Sequence, residues 1–254
     1  MKNKIIISYI CAMHIGVVIL LLHPNILNRA YNKLGLIDYM NGHSYYMKSL
    51  WDYYSNRSKT LDPNSDQLVF FGDSMINGLC VESYFGGVNF GISGETLRRA
   101  KSRITEIHNL ENKKIVLAYG INDLPCDSKV FIESYKELID KLPHSASIYI
   151  SSLLPVNESI LKEVTGKVKS NAQIDELNML LEDYCTTHEA VYFLDSSKYL
   201  LGPYGQLSEK LQKGDGLHFN LAGNLLWAKG IEEGLKKANF CSPFKTSLSR
   251  YMVP

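Results

Sequence analysis

The chain has 254 residues, a formal net charge of +1, 45% hydrophobic residues and 21% charged ones. That length accommodates one sizeable α/β domain or two small ones, and the composition excludes wholesale disorder. A near-zero charge gives no reason to expect nucleic acid as a partner, and five cysteines without a C-x-x-C pair make neither a disulfide framework nor a zinc site.

Residues 5–22, Ile5 to Leu22, are almost wholly apolar and follow Lys2 and Lys4. As a helix this run reaches roughly 27 Å, about the hydrocarbon thickness of a bilayer. The following His23-Pro24-Asn25 offers no small-x-small cleavage site, so the run reads as an uncleaved transmembrane signal anchor rather than a cleaved signal peptide. The leading lysines put the N-terminus in the cytoplasm and the rest of the chain outside it, at the cell surface or in a periplasm, although Arg29 and Lys33 on the other flank oppose them. Residues 23–66 carry many tyrosines and read as one or two short juxtamembrane helices, with Ser55 to Asp66 as a polar linker. Aromatic rings there suit a membrane interface and suit packing against a domain equally well.

From Gln67 onward, short apolar runs alternate with helical patterns. Strands are predicted at 67–71, 87–91, 114–119, 147–153 and 190–195, and helices near 95–109, 128–141, 166–187 and 220–238. That alternation predicts βαβ crossovers and a parallel five-stranded sheet covered on both faces, an α/β domain over 67–238 followed by a short polar tail, 239–254. Functional residues of such a sheet gather at the C-terminal ends of its strands.

Four polar segments follow those strands or precede the last helix: Gly72-Asp73-Ser74, Asn89 to Thr96, Gly120 to Asp123, and Asp215 to Asn220. Ser74, at a strand-to-helix turn, is a candidate nucleophile, although Asp and Ser there also read as a simple helix cap. His218 is a candidate general base for it, and Asp215 can turn back to hold the imidazole. Asn122, Gly94 and the Ser74 N–H are candidate donors to an oxyanion. Each has an ordinary alternative: Gly94 as a turn residue, Asn122-Asp123 as a cap on the next helix, and D-x-x-H as a solvated pair.

Gly72-Asp73-Ser74 with Gly78, Gly91-Ile92-Ser93-Gly94-Glu95-Thr96, Gly120-x-Asn122-Asp123, and Asp215-Gly216-x-His218 with Asn220 and Gly223 together resemble the blocks of the SGNH (GDSL) hydrolase family, in family order, over roughly residues 67–238. The resemblance implies a flavodoxin-like three-layer α/β/α fold. It makes Ser74 the nucleophile, His218 the base, Asp215 the third member of the triad, and Ser74, Gly94 and Asn122 the oxyanion donors, with Asp73 structural. Met75 and Phe219 depart from the family's usual Leu and Pro. Leu124 and Phe219 are candidate walls for the acyl group, with core packing an equal reading. No P-loop, G-x-G-x-x-G, H-E-x-x-H or G-x-S-x-G elbow occurs, so neither metal nor nucleotide cofactor is implied.

The expected activity is a membrane-anchored serine esterase that removes acetyl or short acyl groups from a glycan or lipid ester. The same residues serve an O-acyltransferase acting on surface glycans. A third reading, from another class, is a catalytically idle binding or scaffold domain of an envelope assembly.

Overall fold

The computed structural model describes residues 43–241. The apolar run 5–22, the start of the juxtamembrane segment and most of the tail lie outside the described residues. Among those described, no helix is long and apolar enough to cross a membrane. The chain divides into two compact units, Met1–Asn56 and Arg57–Pro254. Helix α1 (His43–Ser58) supplies the described part of the first, and its last two residues begin the second.

The second unit is built on five parallel strands: β1 (Leu68–Gly72), β2 (Val88–Asn89), β3 (Lys114–Ala118), β4 (Ser147–Ser151) and β5 (Val191–Leu194), in the order β2-β1-β3-β4-β5. Seven α-helices of this unit lie among the described residues: α2 (Ser74–Asn77), α3 (Val81–Phe85), α4 (Leu97–Arg103), α5 (Ser128–Ile139), α6 (Glu158–Thr165), α7 (Asn171–Thr186) and α8 (Leu221–Cys241). The strands are apolar on both faces because both faces are covered. Phe70, Val116 and Tyr149 join a core with Trp227 and Ile231 of α8, while the alternate residues Val69, Phe71, Ile115, Leu117, Ile148 and Ile150 are buried on the other face. This strand order is that of flavodoxin-like sheets, with the topological switch between β1 and β3.

The strand-to-helix turn expected at Ser74 leads into two short helices, separated at Gly78-Leu79-Cys80. Two predicted elements differ. The predicted helix 166–187 begins only at Asn171; an unpredicted α6 precedes it and ends at Gly166 in the left-handed region, φ 69°. The supposed linker is packed from Arg57 on. Ser58 and Leu61 are buried, the Ser58 hydroxyl accepts from the His108 N–H at 2.8 Å, and the Lys113 ammonium donates to the Asp62 and Ser65 carbonyls at 2.7 and 2.6 Å.

Candidate active site

Strand β1 runs out at Gly72, and the chain turns at once into α2. Asp73 is the cap of that helix: its Oδ1 accepts from the Met75 N–H at 2.9 Å. This leaves the Ser74 hydroxyl free of capping duty, and it lies 2.9 Å from His218 Nε2. The Ser74 N–H stands at the first position of α2, where no earlier helical carbonyl serves it.

The imidazole arrives from a tight loop before α8. Asp215 Oδ1 accepts the backbone N–H groups of Leu217 and His218 at 3.0 and 2.8 Å, and Oδ2 lies 2.6 Å from His218 Nδ1. Burial pulls the Asp215 pKa upward, but the bonds from the His218 ring and the two N–H groups outweigh it, so the carboxyl sits below its ordinary value. Gly216 makes the loop possible. Its φ is 73°, and a Cβ there would stand 2.6 Å from the Asn157 carbonyl and from the Leu161 N of α6.

The three strand-end segments are stitched together by asparagines. Asn89 Nδ2 donates to the Ile76 and Leu79 carbonyls at 2.7 and 2.9 Å, and Asn77 Nδ2 donates to the Gly91 carbonyl at 3.1 Å. Gly91 permits this closeness, since a Cβ there would fall 2.4 Å from the Asn77 N. Gly94 follows with φ 75° and is exposed. Asn122 Nδ2 donates to the Glu95 carbonyl at 3.1 Å, which ties the segment after β3 to the one after β2. Asp123 caps α4, accepting from the Leu97 N–H at 3.2 Å, whereas the next helix, α5, takes its cap from Asp127.

Ser74, His218 and Asp215 are thus brought into one hydrogen-bonded chain, and Gly94 and Asn122 lie on adjoining segments held by shared bonds. The two candidate acyl-wall residues are placed differently. Phe219 is 2% exposed and packs edge-on against Trp227, so its ring belongs to the core, not to an open wall. Leu124 is 7% exposed. A cavity of about 20 Å³, large enough for one water, lies between Asp73, Met75, Ile121, Ser152 and Leu217, and Ser74 is not among its lining residues.

Sequence reasoning missed the support beneath these segments. Glu95 and Arg103, 0% and 1% exposed, form a bidentate pair with Nε–Oε1 at 2.8 Å and Nη2–Oε2 at 2.6 Å. Tyr119 donates its hydroxyl to Glu95 at 2.8 Å, and Arg103 also donates to the Phe90 carbonyl at 2.9 Å. The available signal was the arginine two turns after Glu95, on the side of α4 that carries Leu97 and Ala100. Among the described residues no group of three His, Cys, Asp or Glu side chains is arranged to hold a metal.

Among the solved structures similar to this molecule, three illustrate the likeness, each too distant in sequence to establish more than the fold. A Streptococcus protein whose name links it to platelet activating factor is 23% identical, with TM-score 0.64 over 73% of this chain and 91% of that one. A GDSL-like lipase from Bacteroides thetaiotaomicron is 20% identical, with TM-score 0.63 over 74% and 98%. The C-terminal catalytic domain of peptidoglycan O-acetyltransferase A from Streptococcus pneumoniae is 16% identical, with TM-score 0.50 over 69% and 95%. No curated protein matches the sequence significantly. The sequence model of the GDSL-like lipase/acylhydrolase family matches residues 70–226, more than half of the chain and all four polar segments. The chain therefore belongs to the GDSL-like lipase/acylhydrolase family, a family of ester hydrolases.

Proposed function

We propose that the protein is a membrane-anchored serine esterase that releases acetyl or other short acyl groups by a Ser74-His218-Asp215 triad. The observation that carries this reading is the unbroken chain from Ser74 Oγ to His218 Nε2 at 2.9 Å and from Nδ1 to Asp215 Oδ2 at 2.6 Å. His218 takes the hydroxyl proton as Ser74 attacks the ester carbonyl, and Asp215 holds the ring and steadies its positive charge. The tetrahedral oxyanion is received by the N–H groups of Ser74 and Gly94 and by the Asn122 amide. His218 then protonates the departing alcohol, and a water activated by the same ring releases the acyl group. The anchor, residues 5–22, would hold the active site outside the cytoplasm, near lipids and surface polysaccharide.

Ser74→Ala should lower turnover of p-nitrophenyl acetate by at least about 10³-fold with the fold intact by circular dichroism. Full activity in that variant, or no labelling of the folded wild type by a fluorophosphonate, would leave the idle scaffold as the better reading. An O-acyltransferase uses the same residues with a glycan hydroxyl in place of water. The likeness to a domain named for peptidoglycan O-acetyl transfer supports it as the second reading. Product analysis with p-nitrophenyl acetate and soluble peptidoglycan fragments separates the two: free acetate marks the esterase, acetylated glycan the transferase.

A further inference from the structure

The loop between α6 and α7 inverts the usual placement of apolar and charged side chains. Val168 is 65% exposed, whereas Lys169 beside it is 8% exposed. Burying an ammonium is costly unless it is bonded and faces opposite charge, so a lysine inside with a valine outside marks a specific interaction. Lys169 Nζ donates to the Ile121 carbonyl and, at 3.2 Å, to the Leu124 carbonyl. Asp73 and Asp123 are near enough to favour its charge, while burial draws its pKa below the ordinary lysine value.

Those two carbonyls flank Asn122 and Asp123. The segment between them is a single 3₁₀ turn, Ile121–Asp123, entered through Gly120 at φ 127° and closed by one bond of its own, from the Asp123 N–H to the Gly120 carbonyl at 3.0 Å. A turn so short holds few of its own bonds, and its buried carbonyls need partners from elsewhere. Glu95 and the Leu97 N–H grip it on the side of α4. Lys169 alone among these partners reaches it from the α6–α7 side. Asn122 spends one amide N–H on the Glu95 carbonyl, and the other is available to a substrate oxygen.

We propose that Lys169 is a positioning residue for Asn122: by gripping the carbonyls on either side, its ammonium fixes the turn that aims the Asn122 amide at the developing oxyanion. The inference rests on the role given to Asn122 above. Lys169 does not meet the substrate; it acts on the transition state through Asn122, so its loss should appear in kcat and not in KM.

The test is a double-variant cycle on the full chain with Lys169→Met, Asn122→Ala and both together. Lys169→Met should raise amide hydrogen exchange across residues 120–125 about tenfold, leave the central strands unchanged, and lower kcat on p-nitrophenyl acetate about 10- to 100-fold with KM within about twofold. In the Asn122→Ala background the same change should cost less than about twofold, and Lys169→Arg should recover part of the loss. Unchanged exchange in the turn, kcat losses that multiply in the double variant, or a loss confined to KM would each overturn the proposal. If the wild type hydrolyses no ester, that failure belongs to the proposed activity, and the exchange comparison still decides whether Lys169 holds the turn. Lys169→Gln, a shorter and uncharged donor, should show the same changes at reduced size if the methionine variant does not fold.

Discussion

Two aspartates at this site are pushed in opposite directions. Asp215, hydrogen-bonded by His218 and two N–H groups, sits below the usual carboxylate value, whereas burial drives Asp73 up to about 7 despite its bond from Met75. The folded protein therefore retains a proton on Asp73 that the unfolded chain releases between about pH 4 and pH 7. More protons bound in the folded state means that stability falls as pH rises through that window, and buried Asp123, raised to about 6, adds the same sign. Asp73→Asn keeps an oxygen for the Met75 N–H and removes the proton exchange. Its melting temperature should exceed that of the wild type by a few degrees, about 3–8 °C, at pH 8, with a much smaller difference at pH 4.5. An equal difference at both values would mean that Asp73 is ionised throughout. The cap itself was legible in Gly72-Asp73-Ser74. Its proton was not, because it depends on burial by segments that follow β3 and β4, from which Tyr119, Ile121 and Leu154 line a small cavity with Asp73.

Helix α4 shows how a surface-like sequence can carry buried structure. Arg98, Arg99, Lys101 and Arg103 lie within six residues, yet Arg103 alone turns inward to close on Glu95. Arg103→Met should leave a buried carboxylate without its partner and lower unfolding free energy by about 3–5 kcal/mol in urea denaturation. Lys136→Ala, which breaks the exposed pair with Glu133, should change it by less than about 1 kcal/mol. If the two losses were alike, the buried pair would not be the support assigned to it here. The five strands were readable because each is a short apolar run bounded by turn residues. Helix α6 escaped because it is only eight residues long: Ile160, Leu161 and Val164 make a short apolar stripe, but Val164 is exposed and only Leu161 is buried. Helix α7 was drawn too early because Val168 and Lys169 lie on the sides opposite to their polarity. Ser74, His218, Asp215 and the candidate donors could be picked out because they lie in short polar segments beside the apolar runs, whereas the bonds beneath them join residues whose neighbours are set only by the folded sheet.

For the molecule as a whole, the anchor is the expectation with the plainest outcome. The full chain should pellet with membranes, resist extraction by alkaline carbonate and dissolve in detergent; release by carbonate would remove residues 5–22 from that role. The sheet order places the ends of β2, β1 and β3 side by side, so Ser74, Gly94 and Asn122 share one rim. The imidazole reaches that rim from a loop 144 residues further along, through one hydrogen bond. A growing polypeptide therefore presents Ser74 long before His218 is made. At about 5–20 residues per second, roughly 7–30 seconds of synthesis separate the two. Under the proposed mechanism the nascent chain would have no base for its hydroxyl throughout that interval, and would gain one only when the segment around His218 meets Ser74.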